Sequence, residues 1–245
     1  MPNDRVWGPV LLQVADSLKD FDLDPSTQPD DELYDDIIFA AAHQHSVENF
    51  TERADPELSD VAELVDRRLG SGWLAGASLR SPQSKFSEPT ELRPVRVSNP
   101  SGSWAAVDKP EGAFWTSSFL PGLRSAWERL EAGEFSQHDR PLMRFDFALG
   151  PDDEVWTIRD VDDYAELVRR HPRRVTRDTV GIDWAALRHD VTAVTLSAAG
   201  LARAQNVRVA TPYGVAQLSG WDAESTAWLR LPASASLTAM PVRAR

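Results

Sequence analysis

The sequence predicts an α+β protein in two parts: an acidic, helical N-terminal region over residues 1–88, then a mixed-sheet domain over residues 89–245. Three observations carry this reading. Of a net charge of −12, residues 1–88 hold −11, from 18 Asp/Glu against 7 Lys/Arg, which leaves −1 for the remainder; such an asymmetry marks regions with different surfaces. Apolar residues in the first region recur at helical spacing, whereas from residue 95 short alternating runs bounded by Gly and Pro take over. Those runs and the helices between them lack the regular strand–helix alternation of a doubly wound sheet.

The elements follow in chain order. Residues 31–50, DELYDDIIFAAAHQHSVENF, form a helix: Leu33, Ile37, Ile38, Ala41 and Val47 keep its period, and acids crowd the first turn, where the helix dipole favours them. DPELSDVAELVDRRLGSG is a second helix, with Asp55 as cap, Pro56 at the first helical position, Arg67 and Arg68 toward the negative end and Gly70 as stop. Residues 78–94, SLRSPQSKFSEPTELRP, hold three prolines and four serines and read as a linker or surface loop. VRVSNP (95–100) and GAFWTSS (112–118) are strands, and GLRSAWERLEAG (122–133) is a helix stopped by Gly133. LMRFDFAL (142–149) alternates, with Met143, Phe145, Phe147 and Leu149 on one face. EVWTIRD is a strand, VDDYAELVRRHP a helix ended by Pro172, DWAALRHD a short helix, and VTAVTLS, VRVATPYG, AQLSGWDAE and STAWLRL close the chain.

Composition narrows the chemistry. A hydrophobic content of 42% with nine tryptophans is enough for a core. There is no cysteine, which removes disulfides, thiolate metal sites and cysteine nucleophiles. Of the five histidines only His43 and His45 are close, and two residues apart on a helix they point in nearly opposite directions, so no metal site is expected. No run of about 18 apolar residues is present, and the first twenty residues lack a basic start and a clean apolar stretch. The expectation is a cytoplasmic protein without a membrane partner.

Three segments carry candidate chemistry: Arg96-Val97-Ser98, Phe114-Trp115-Thr116-Ser117-Ser118, and Asp222-Ala223-Glu224. In this order they resemble the ADP-ribosyltransferase family, whose members place an Arg or His on an early strand, a Ser/Thr triplet on a central strand and a Glu at the start of a late strand. The resemblance covers residues 92–232 and is one of motif order. GAFWTSSFLPGLRSAW is similar in layout to the poly-ADP-ribose polymerase branch, and the WTSS…W and WD-x-ES-x-x-WL patterns are similar to a bacterial and phage branch.

The resemblance implies NAD as substrate. Glu224 would be the catalytic carboxylate, and Asp222, on the same strand face, would orient the acceptor. Arg96 and Ser98 would bind the diphosphate side, and Gly112 would let the backbone approach the ligand. Thr116 and Ser117 would lie beside the nicotinamide ribose, and Trp127 or Trp115 would stack on nicotinamide. The implied function is transfer of ADP-ribose to a macromolecular acceptor, protein or nucleic acid, of the kind found in toxins and phage conflict. Each element also has an ordinary reading: a surface Arg, a polar strand end, a core aromatic, a solvated carboxylate. Two alternatives therefore stay open. One is an NAD glycohydrolase with water as acceptor. The other is a non-catalytic binding module whose acidic N-terminal half docks a protein partner. The basic residues of HDRP (138–141) and RHPRR (170–174) either end elements in solvent or attract a phosphate-bearing ligand.

Overall fold

The computed structural model describes residues 7–43, 56–76, 78–86, 92–102, 107–121, 124–131 and 141–240. Its elements are α1 (Pro9–Asp20), α2 (Asp30–His43), α3 (Pro56–Arg68), β1 (Gln83–Phe86), β2 (Phe114–Ser118), α4 (Ala126–Glu131), β3 (Leu142–Asp146), β4 (Val155–Ile158), α5 (Val161–Arg170), β5 (Pro172–Arg174), β6 (Thr179–Ile182), α6 (Trp184–Leu187), β7 (Ala193–Leu196), α7 (Ala198–Ala204), β8 (Arg208–Thr211), β9 (Gly214–Gln217), β10 (Ser225–Trp228) and β11 (Ser236–Ala239). One sheet has seven strands in the order β11-β3-β1-β2-β10-β7-β4, and a second has four in the order β5-β6-β9-β8. Both are mixed: β4 pairs parallel with β7, and β6 parallel with β9, among otherwise antiparallel neighbours. The chain is thus a mixed α and β protein.

The N-terminal helices are part of the main core. In α1, Val10, Leu11, Leu12, Val14, Ala15 and Leu18 are buried, while Gln13, Asp16 and Asp20, three and four residues apart, line up on the opposite side. Gln13 and Asp16, which keep the first twenty residues from forming a clean apolar stretch, thus belong to the wet face of an amphipathic helix. Helix α1 packs on α2, α3 and α7, and α2 also packs on α7. Polar clamps join the same layers. Arg203 Nε meets Asp66 Oδ1 at 2.6 Å and its Nη2 reaches the Asp66 carbonyl at 2.7 Å. The Leu74 carbonyl accepts the Ala199 N–H at 3.0 Å. Trp73 Nε1 donates to the Phe119 carbonyl at 3.0 Å. A continuous cluster of buried side chains runs from Trp7 to Leu229.

The segment expected as a linker, 78–94, contains β1, which lies between β3 and β2 inside the larger sheet. Its polar residues are buried because they satisfy one another across strands. Gln83 Nε2 donates to Thr226 Oγ1 at 3.1 Å, and Thr116 Oγ1 donates to Gln83 Oε1. Thr195 and Thr226 share a hydroxyl contact of 3.1 Å, and Trp228 Nε1 donates to Thr116 Oγ1 at 2.8 Å. On the other side of the strand, Ser84 Oγ bonds the Ser117 carbonyl at 3.0 Å and Ser125 Oγ at 2.5 Å. A paired hydroxyl–amide network of this kind is admissible in a core where a lone polar group is not.

Other expectations shift locally. VRVSNP makes a single bridge, Ser98 to Glu111, instead of a strand. Pro172 follows the end of α5 and also opens β5, an edge strand, where its missing N–H is tolerated. The expected helix 31–50 is seen to His43, and its remainder, with His45, lies outside the described residues, as do Asp55, Gly133 and His138.

Asp108 ties the second sheet to the loops. At 3% exposure its carboxylate accepts from Tyr164 Oη at 2.7 Å, the Ile182 N–H at 3.1 Å and Trp184 Nε1 at 3.1 Å. Burial pushes its pKa up to about 6, against the pull of these donors.

Two outcomes follow from this packing. The fragment 89–245 lacks β1 and the helices that cover α7, so it is expected to be insoluble or to give a collapsed, poorly dispersed NMR spectrum; a folded, soluble fragment would show that the N-terminal helices are an accessory layer. Asp108→Ala leaves three buried donors without an acceptor and is expected to cost about 3 kcal/mol or more in denaturant unfolding.

Candidate functional site

Strands β2 and β10 build the site. They pair antiparallel with Thr226 opposite Thr116 and Trp228 opposite Phe114. Continuing that register carries Ser118 to the side of Glu224, the residue before β10. There the Glu224 carboxylate is held from three directions. Oε2 accepts the Ser117 hydroxyl at 3.0 Å and the Ser118 N–H at 2.9 Å, and Oε1 accepts the Ser118 hydroxyl at 2.8 Å. The backbone is fixed as well: the Glu224 N–H donates at 3.1 Å to the hydroxyl oxygen of Tyr34, a fully buried residue of α2. Tyr34 sits edge-on to Trp73, with centroids 5.0 Å apart, and Trp73 in turn holds the Phe119 carbonyl.

Burial dominates the electrostatics. Glu224 is 4% exposed, and loss of hydration raises its pKa, while the bonds from Ser118 and Ser117 work in the opposite direction without cancelling it. The Tyr34 phenol is also pushed up, first by burial and then by the nearby Glu224 charge. Oε1 carries one hydrogen bond where Oε2 carries two, so Oε1 retains the capacity for one more donor.

Helix α4 adds the next wall. Ser125 and Glu128 make a reciprocal cap: Trp127 N–H donates to Ser125 Oγ at 3.1 Å and Ser125 N–H to Glu128 Oε2 at 2.7 Å. That start orients Trp127, half-buried, so that its indole N–H reaches Ser225 Oγ at 3.0 Å, one residue from Glu224.

Of the residues singled out in sequence, Ser117, Glu224 and Trp127 come together. Thr116 does not join them: it is fully buried and spent on Gln83 and Trp228. Asp222 is exposed in the turn before β10 while Glu224 is buried, so the shared strand face expected for the pair is not formed. Trp115 stands edge-on to Trp221, with centroids 4.9 Å apart, and Lys109 Nζ lies 4.7 Å from its ring centroid, so that face is already covered. Arg96 is exposed beside Gly112, and no hydrogen bond or ion pair joins it to Glu224 or Ser117. Ser98 is exposed and pairs through its backbone with Glu111 at 3.0 and 3.1 Å. Gly112 has φ +71°, and a side chain there would strike the Arg96 carbonyl, so the glycine is required by this close approach of two backbone segments.

Sequence reasoning missed Ser118, Tyr34 and Lys109. Ser118 was legible as the third hydroxyl of the triplet. Tyr34 carried no signal, since its helix lies more than 180 residues away in the chain. The basic residues near α5 are largely engaged: Arg169 and Arg170 pair with Glu166 at 2.8 and 3.1 Å, and Arg173 holds the carbonyls of Ile182 and Pro100. Among the described residues no group of three or more His, Asp or Glu side chains is placed to hold a metal ion, and no helix is long and apolar enough to cross a membrane.

Substituting Glu224 by Gln tests the electrostatic reading. Gln Oε1 can take the place of the doubly bonded oxygen, and its amide can donate to a rotated Ser118 hydroxyl. A carboxyl with a raised folded pKa contributes stability that is full below the ordinary value of 4.5 and is lost as pH rises through the folded pKa. Glu224→Gln is therefore expected to be at least as stable as wild type at about pH 8, with the advantage vanishing in acid. Thermal unfolding across pH measures this; a large loss of stability at alkaline pH would contradict it. No protein-family model, curated protein or solved structure matches the chain.

Proposed function

We propose that this chain transfers ADP-ribose from NAD to a macromolecular acceptor, protein or nucleic acid, with Glu224 as the catalytic carboxylate. The observation that supports this most is the seating of Glu224 on Ser117 and Ser118 at 2.8–3.0 Å, with one acceptor position left on Oε1. Breaking the bond between nicotinamide and ribose builds positive charge on the sugar, as in glycoside chemistry. A carboxylate that accepts the ribose 2′-hydroxyl opposes that charge. It does so best when it is already fixed and poorly hydrated, because no reorganisation is then needed during reaction. The serines and Tyr34 supply the fixing, and burial supplies the low hydration. Asp222, exposed two residues earlier, lies on the solvent side, where an incoming acceptor would be oriented. A toxin-like or phage-conflict role belongs to the same reading.

The burial of Glu224 also favours a second reading. With three of its acceptor positions filled, the carboxylate is a good internal fastener between β2 and β10 in a non-catalytic binding module. Turnover separates the two. With NAD and a cell lysate, wild type is expected to release nicotinamide, and Glu224→Gln to lower that rate by about 100-fold with NAD affinity nearly unchanged, the scale of losing one preorganised electrostatic group. Equal rates in both proteins would remove Glu224 from catalysis, and no release from wild type would favour the binding module.

A further inference from the structure

Lys109 is held more firmly than a surface lysine ordinarily is. Before it, Asp108 is pinned by Tyr164, Ile182 and Trp184, and its carbonyl accepts Trp221 Nε1–H at 3.0 Å. After it, Pro110 is buried and conformationally fixed. The turn at Gly220, φ +84°, lies so close to Val107 that any side chain there would collide with it. The lysine stem is thereby aimed over Trp115, with Nζ 4.7 Å from the ring centroid. Among the described residues the ammonium makes no hydrogen bond and no ion pair; it lies over the Trp115 ring and in the field of Asp222, with its three donors unspent. Burial lowers its pKa and the Asp222 charge acts the other way, with burial prevailing.

Such an ammonium is short of an anion. We infer that Lys109 binds a phosphate oxygen of a dinucleotide's diphosphate, the role that the resemblance implies for Arg96. The inference rests on the function proposed above, and the geometry links the two places. Trp115, under the ammonium, precedes Ser117 by two residues on β2, and Asp222 precedes Glu224 by two before β10. The surroundings of Lys109 and of Glu224 are thus built from the same two segments, whereas Arg96 contacts neither carboxylate. Asp222 is the internal competitor: its exposed carboxylate attracts the ammonium when no anion is present and repels an incoming one.

Calorimetry on the full chain, with ADP-ribose and ADP as probes, tests this. Lys109→Gln removes the charge and keeps a polar side chain beside Trp115; it is expected to weaken both probes by roughly ten- to a hundredfold, the range for one charge-assisted contact. Asp222→Asn, a surface change that leaves the fold intact, is expected to tighten both. Arg96→Ala is expected to leave them unchanged. Equal affinities in wild type and a folded Lys109→Gln, or no binding of either probe to wild type, would overturn the inference. Nicotinamide release keeps the two readings apart. Probe binding that depends on Lys109 without any release leaves the anion site standing and removes the transferase chemistry. Release that depends on Glu224, with affinities indifferent to Lys109, does the reverse.

Discussion

A carboxylate at 4% exposure organises this molecule at the junction of β2 and β10. Burying Glu224 is unfavourable unless its oxygens are met, and they are met by two consecutive serines on the neighbouring strand and by nothing that a hydrophobic pattern would provide. That demand fixes the register of β2 against β10. It also places Tyr34 under the Glu224 backbone, which draws α2 into the site. The same constraint makes the hydroxyl pair Ser117-Ser118 at the strand end structurally necessary.

The polar interior extends well beyond Glu224. Gln83, Thr116, Thr226 and Thr195 link four adjacent strands through their side chains, and Asp108 gathers three donors from α5, β6 and α6. Networks of this type specify one arrangement, because a slip by one residue would leave several buried groups unmet. The acidic N-terminal helices belong to that arrangement. Their apolar faces close over α7, and the buried Asp66 of α3 is met there by Arg203.

The sequence was most legible where pattern and period agreed. The alternation Met143, Phe145 gave β3, VDDYAELVRR gave α5, and Arg67 and Arg68 of α3 sat where the dipole wants them. It was least legible where polar residues enter the core. QSKF reads as loop by composition, yet it forms a strand within the larger sheet because its partners carry matching hydroxyls and amides. The small-residue stretch of α7, Ala198–Ala204, has no polar face to reveal a helical period, since it is buried nearly all round. At the site, Ser117 and Glu224 could be matched because both lie in motifs; alternation along β2 sends Thr116 to the face opposite Ser117, and Asp222 stands in the turn before β10, where strand alternation does not apply. Lys109 was overlooked because its environment is made by Trp115 and a turn far along the chain.

The most direct measurement is a crystal structure with a non-cleavable NAD analogue. The nicotinamide-side ribose is expected with its 2′-hydroxyl at about 2.7 Å from Glu224 Oε1, the normal length for such a bond, while Ser117 and Ser118 keep their own. An analogue bound elsewhere on the molecule, with Glu224 closed over by protein on every side, would contradict it.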